Sequence, residues 1–261
     1  MTRRRSLVAA VLASGALLLA GCGAANGTPA VSAGPAGLSG NLEVFAAASL
    51  KESFTRLGNE FHAAHPGVSV VFNFGPSNGL ALQITQGAPA DVFAAASPDT
   101  MQTVVSAGDA TDPRTFATNV LEVATPPDNP AGVRSLADLA KPGVKVAVCQ
   151  AQVPCGAAAS ALFAKNRLTV HPVTYEVDVK AVLTKVQLGE VDAGLVYTTD
   201  VHAAGTRVHG ISIAAADNVS TTYPIAALTT SPDKAAADAF VAFVLSPAGT
   251  SALAAAGFAG P

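Results

Sequence analysis

Val44-Phe45-Ala46-Ala47-Ala48-Ser49-Leu50-Lys51-Glu52-Ser53-Phe54 is the stretch on which the fold turns. It reads as a short apolar strand that runs through a turn of small residues into a helix. Ser49 stands where that helix begins, and Glu52 three places on completes the S-x-x-E pattern of a capping box. Leu50, Phe54, Leu57 and Phe61 then recur at helical spacing and predict one buried face. A strand delivering a hydroxyl and unpaired backbone N–H groups to a helix N-terminus is suited to hold an anion.

Outward from this unit the same alternation repeats. Strands are predicted at 42–46, 68–74, 91–96, 119–124, 144–148, 173–177, 193–197, 210–214 and 223–228. Helices are predicted at 50–64, 80–85, 100–107, 157–166, 179–189 and 233–245, with a short one at 135–139 and a loop over 150–156. Such alternation predicts an α/β fold of parallel sheets flanked by helices on both faces. Ligands in such sheets sit beyond the C-terminal ends of the strands.

The chain has 261 residues, enough for one large domain or two small ones. Half of it is hydrophobic and 13% charged, which suits close-packed layers and excludes a disordered or nucleic-acid-binding chain. Residues 1–21 have the form of an export signal: Arg3-Arg4-Arg5, then an apolar run from Leu7 to Ala20, too short to span a bilayer. The run ends Leu19-Ala20-Gly21-Cys22, the form of a bacterial lipobox, with cleavage before Cys22 and lipid on its thiol. That predicts an extracytoplasmic protein anchored to the cell membrane through lipid. Residues 22–40 form a small-residue tether. Loss of the three signal arginines moves the formal charge from −3 to −6, so an anion would have to be held by local dipoles. Cys149 and Cys155 remain in a compartment that permits a disulfide between them; two free buried thiols are the alternative.

Four positions share the opening grammar of strand, small turn and helix start: Ser49, Ser77, Cys155 and Val179. Any one alone is a routine turn or cap; four in one chain, with little charge nearby, point to a shared purpose. Val44 to Ser49 recurs letter for letter as Val92 to Ser97, but Pro98 removes an N–H from the second copy, so Ser97 reads as a structural cap. His62 and His65 lack an evident third metal ligand. Asp178 and Asp200 read as helix caps. Tyr197 closes an apolar strand and sets a phenol at the edge where such turns gather. No nucleophile elbow, zinc-protease, P-loop or dinucleotide motif is present.

Val-Phe-Ala-Ala-Ala-Ser-Leu at 44–50, Gly-Ala-Pro-Ala-Asp-Val-Phe at 87–93 and Gly-Leu-Val-Tyr-Thr-Thr-Asp at 194–200 resemble the periplasmic molybdate-binding proteins of ABC importers. The resemblance runs from about Asn41 to the C-terminus. It implies a two-lobed, type II binding-protein fold, with lobe one at 41–118 and 221–261, lobe two at 119–220, and the ligand between them. It implies a non-catalytic receptor for molybdate, and tungstate with it, that needs no cofactor. The ligand would be held by Ser49, Ser77 and Tyr197 through hydroxyls and by Cys155 and Val179 through backbone N–H groups. The implied partners are a membrane permease and, through it, an ATPase; a monomer is expected. Two departures stand out. The second loop is Gly75-Pro76-Ser77-Asn78-Gly79 where relatives often carry a serine run, and Cys155 stands where Ala or Ser is commoner. A sulfate receptor on the same fold is the nearest alternative. A secreted hydrolase with Ser49 as nucleophile is a remoter one, since no His or Asp is placed by motif to activate that serine.

Overall fold

The computed structural model describes residues 37–261; the signal segment, Cys22 and most of the tether lie outside the described residues. The chain opens with β1 (Gly40–Ala47), a single 3-10 turn (Ala48–Leu50) and α1 (Lys51–Ala64). Next come β2 (Val68–Gly75), α2 (Ser77–Thr85), β3 (Val92–Ala94), α3 (Pro98–Ser106) and the long β4 (Arg114–Thr125). A 3-10 turn (Leu136–Ala140) leads to β5 (Val146–Cys149), α4 (Pro154–Lys165), β6 (Thr174–Glu176), α5 (Val179–Gln187), β7 (Ala193–Tyr197) and α6 (Thr198–Ala204). After a 3-10 turn (Gly205–Arg207) the chain finishes with β8 (His209–Ser212), β9 (Ser220–Ala227), α7 (Lys234–Leu245) and α8 (Pro247–Ala255).

The fold is α/β, as the alternation predicts, but the sheet is mixed. β2-β1-β3 run parallel, and so do β6-β5-β7. β9 and β4 join the two parallel sets by antiparallel pairing. Residues 114–120 of β4 pair with β9, and residues 121–125 pair with β7 and β8, so one strand passes from one set to the other. Each set is thus mainly parallel, as expected, and the antiparallel pairs fall at β4, β8 and β9. β4 also begins five residues before its predicted start, at polar Arg114-Thr115, where apolar spacing offers no signal.

Burial follows the apolar spacing. Phe54, Leu57 and Phe61 of α1 are fully buried, and each such side chain contributes about 1.5–3 kcal/mol. Phe54 and Phe61 meet Phe72, Phe116 and Phe240 in edge-on and tilted pairs with centroids 5.3–6.3 Å apart. Gly58 lets α1 lie against β2: a Cβ there would stand 2.6 Å from the Phe72 ring. A second core lies on the other face of β1 and β3, where Phe45 and Phe93 pack with Leu80 and Met101. A third fills the β5–β7 region with Val146, Leu162, Val182 and Leu195.

Register then positions the site. β1 and β2 end together, with Ala47 opposite Gly75, so the turns after them lie side by side. β3 pairs with the other edge of β1, placing Ala94 beside Ala46 and bringing Ala96 to the same end.

Candidate functional site

A cavity of ≈ 20 Å³ opens where these turns meet, lined among others by Ser49, Ser77, Cys155, Val179 and Tyr197. A single water needs about 10–15 Å³ of such space, so without ligand the cavity is little larger than one water. All five sequence-predicted positions are thus brought together, although 148 positions separate the first from the last.

Ser49 is buried, but it does not cap α1. The 3-10 turn delays the helix to Lys51, its N-cap is Leu50 without a side-chain bond, and the expected capping box does not form. The Ser49 hydroxyl instead stands 3.0 Å from Tyr223 Oη on β9, and Glu52 pairs with Lys180 at 2.7 Å. A tighter turn rotates the serine out of reach of the helix N–H groups and turns it toward the sheet.

Ser77 is the first residue of α2, three residues before the predicted start, because Pro76 supplies an extended N-cap. Its Oγ accepts the Ala96 N–H at 3.1 Å, which ties α2 to the end of β3 and leaves the hydroxyl proton free to donate. Cys155 lies in the first turn of α4, which begins at Pro154 rather than at Ala157. Pro154 has no N–H, so Cys155 offers the first backbone donor of that helix. Its sulfur is bonded to that of Cys149 at the end of β5, with Cα atoms 5.7 Å apart. Gly156 follows because a Cβ there would fall 1.8 Å from the Gln150 carbonyl oxygen. Val179 is the first residue of α5, and Asp178 caps it by accepting the Ala181 N–H at 2.9 Å.

Tyr197 ends β7 at 1% exposure, and its hydroxyl has no hydrogen-bond partner among the described residues. Burial pushes its pKa well up, so the phenol keeps its proton and stays a donor. Its backbone N–H donates to Asp200 Oδ2 at 3.1 Å, which makes Asp200 a residue of the first turn of α6 rather than the cap itself. Asp200 is fully buried and its Oδ1 lies 2.8 Å from Lys180 Nζ. Burial raises the Asp200 pKa against the pull of Lys180. Burial lowers the Lys180 pKa, but Asp200 and Glu52 outweigh it and hold the ammonium above its usual range.

Ser97 caps α3 by accepting the Thr100 N–H at 3.2 Å, and Ala96 rather than Ser97 lines the cavity. His62 Nδ1 bonds to the Val68 carbonyl at 2.7 Å, and His65 packs against Phe61. Among the described residues no group of three or more His, Cys, Asp or Glu is placed to hold a metal ion. Tyr223 and Lys180 were not marked by any local pattern; only tertiary pairing brings them to Ser49 and to Asp200.

The lining is rich in donors and holds one carboxylate, Asp178, whose Oδ1 accepts the Ala181 N–H. None of the lining residues is Lys or Arg, and the donors are hydroxyls and the first N–H groups of helices. Each helix start carries about half a positive charge. The arrangement suits an anion that only accepts hydrogen bonds.

The fold and this cavity are those of a solute receptor. A family model for bacterial extracellular solute-binding proteins matches residues 42–259, and the chain belongs to that family. Within it, the molybdate-binding protein ModA of Mycobacterium tuberculosis (strain ATCC 25618 / H37Rv) is 43% identical over 257 residues, covering 98% of this chain and 97% of that protein. The periplasmic molybdate-binding protein of Azotobacter vinelandii superposes with a TM-score of 0.72 at 21% identity, covering 84% of this chain and 99% of that one. The sulfate-binding protein SubI of M. tuberculosis H37Rv superposes with 0.74 at 20% identity, covering 84% and 86%. At these identities the two structures share the fold, and the fold alone does not distinguish one oxyanion from another.

Proposed function

We propose that the protein is an extracytoplasmic receptor that captures molybdate, and tungstate with it, and delivers it to an ABC import permease and its ATPase. The observation that carries this is a small cavity lined by four helix-start turns and the unpartnered Tyr197 hydroxyl, without a cation. The mycobacterial relative's name supports the choice of molybdate. Ser49, Ser77 and Tyr197 donate through hydroxyls, Cys155 and Val179 through backbone N–H groups. A molybdate, tungstate or sulfate dianion is fully deprotonated at neutral pH and accepts from all of them. Hydrogen phosphate carries a proton and needs an acceptor; the one carboxylate in the lining, Asp178, has its Oδ1 engaged by the Ala181 N–H at the start of α5.

Two lobes, 41–118 with 221–261 and 119–220, would close on the ion about β4 and β9, the strands that pass between the two parallel sets. Lipid on Cys22 and the tether at 22–40 would hold a monomer at the outer face of the membrane. On this reading the protein carries its cargo unchanged, which fits a Ser49 hydroxyl whose hydrogen-bond partner among the described residues is the Tyr223 phenol.

Isothermal titration calorimetry with molybdate, tungstate, sulfate and phosphate tests the reading. Saturable heat with molybdate and tungstate is expected. Silence with both would overturn it, and heat with sulfate alone would move the protein to the sulfate receptors.

A further inference from the structure

Lys180 is held from within residues 119–220. Its Nζ lies 2.8 Å from Oδ1 of Asp200, a fully buried carboxylate on α6 whose Oδ2 accepts the Tyr197 N–H at 3.1 Å. Parting these two would strand a charge away from water, so the ammonium stays at that post. Its second partner comes from the other side of the cavity. Glu52 Oε2 on α1 stands 2.7 Å from the same Nζ, yet the Glu52 side chain is 51% exposed. Glu52 also borders a groove of ≈ 290 Å³ between α1, α6 and α8, so water can hydrate the carboxylate once it lets go. Glu52–Lys180 is the one ion pair among the described residues that joins residues 41–118 and 221–261 to residues 119–220. It has a fixed half and a half that is free to leave. Ser49, three residues before Glu52, and Val179, directly before Lys180, both line the cavity, so the pair can form only when these two turns have come together.

We propose that Glu52 is a positioning residue that latches the receptor shut: by reaching Lys180 across the cavity it holds the two turns together and slows release of the bound oxyanion. This rests on the cavity being an oxyanion site between two closing lobes. An exposed ion pair contributes little, which suits a latch that must open again for delivery. The sign of its effect separates a latch from a bystander charge. Glu52 is the acidic residue in the first turn of α1, where its charge offsets the positive end of the helix beside the cavity. By its field alone, loss of that charge would hold an anion more strongly. A latch predicts the reverse.

Glu52→Gln keeps the size of the side chain and removes its charge. Molybdate affinity is measured by calorimetry, and release by the exchange of bound radiolabelled molybdate for unlabelled molybdate. The variant is expected to exchange about two- to fivefold faster than the wild type and to bind more weakly by a similar factor. Glu52→Lys, which sets two ammonium groups against each other on closure, is expected to exchange faster still and bind more weakly still, although it brings a positive charge toward an anion. Glu60→Gln removes the same charge from the same helix, where Glu60 pairs only with Arg56 of α1, and is expected to leave exchange unchanged. Slower or unchanged exchange in Glu52→Gln, tighter binding in Glu52→Lys, or equal acceleration by Glu60→Gln would each overturn the latch. A wild type that binds no molybdate would instead overturn the reading of the cavity.

Discussion

Lys180 Nζ on α5 lies 2.7 Å from Glu52 Oε2 on α1, and it joins the helices that begin at two of the cavity-lining turns. Glu52 follows Ser49 by three residues and Lys180 follows Val179 directly. The same ammonium also meets Asp200 Oδ1 at 2.8 Å. The two contacts differ in kind: Glu52 is 51% exposed and Asp200 is fully buried.

That difference predicts unequal effects. Lys180→Met removes the counter-charge of a buried carboxylate and should destabilise the protein by about 3 kcal/mol. Glu52→Gln loses one arm of a largely exposed pair and should change stability by less than about 1 kcal/mol. Urea unfolding of the two variants checks this, and equal midpoints would show that Asp200 does not depend on Lys180.

Stability should also fall at alkaline pH for a specific reason. Burial raises the pKa of Tyr197 and of Tyr223 above the ordinary 10.0, and the Lys180 pKa is raised above 10.5 despite its burial, because Asp200 and Glu52 hold its proton. All three groups bind their protons more tightly folded than unfolded. Their contribution is therefore complete below about pH 10 and is lost as the unfolded chain releases protons that the folded chain keeps. Melting midpoints recorded from pH 8 to pH 11 should drop beyond about pH 10, and less steeply in Tyr223→Phe. A flat profile would contradict the protonated, buried state of the two phenols.

The two copies of the Val-Phe-Ala-Ala-Ala-Ser motif should separate by function. Ser49→Ala removes a hydroxyl from the cavity and should weaken molybdate binding about ten- to hundredfold, since a hydrogen bond to a charged group contributes about 1.5–3 kcal/mol. Ser97→Ala removes the cap of α3 and should destabilise by about 1 kcal/mol with the affinity unchanged. Calorimetry on both variants decides; equal losses of affinity would undo the distinction.

What could be read from the letters was what is local. Strand, small turn and helix start follow one another within ten residues, so Ser49, Ser77, Cys155 and Val179 stood out, and Tyr197 stood out as the polar end of an apolar strand. The structure brings these five to one cavity. The same local rule misled at Ser49: S-x-x-E reads as a capping box, but one 3-10 turn moves the helix start by a residue and gives the hydroxyl to Tyr223. Tyr223 lies 174 residues away and sits in an apolar strand like any core tyrosine, so nothing near it in the chain announces its role. α6 and α8 were missed because each is short and begins directly after a strand or helix, where apolar spacing does not change enough to mark a boundary. The polar start of β4 was missed because its residues pair through the backbone with β9 rather than by burying side chains.

The Cys149–Cys155 bond predicts an effect on both stability and binding. It closes a loop of sequence separation 6, and a loop that short contributes about 2 kcal/mol by restricting the unfolded chain. Peptide mass mapping of the non-reduced protein should recover the two cysteines in one linked pair, and Cys149→Ala should lower stability by about that amount. Binding should weaken less than in Ser49→Ala, because Cys155 contributes a backbone N–H whose direction is set mainly by α4 and by the close approach of Gly156 to Gln150. Unlinked cysteines in the mass map would remove the bridge; a loss of affinity as large as that of Ser49→Ala would make it the main determinant of the loop.

Tyr197→Phe offers the cleanest separation of binding from folding. The hydroxyl has no partner among the described residues, while the ring packs edge-on against Tyr223 at 6.1 Å. Deleting the oxygen leaves that packing in place and removes a buried polar atom that the unliganded fold does not satisfy. Stability without ligand should hold or rise slightly, since leaving such a group unpaired costs about 1–3 kcal/mol. Affinity should fall about tenfold or more, because a desolvated donor to a dianion is lost. Thermal melts with and without saturating molybdate show both effects at once: the unliganded midpoint stays or climbs, and the shift produced by ligand shrinks. A lower unliganded midpoint with an undiminished ligand shift would mean that the phenol serves the fold and not the ion.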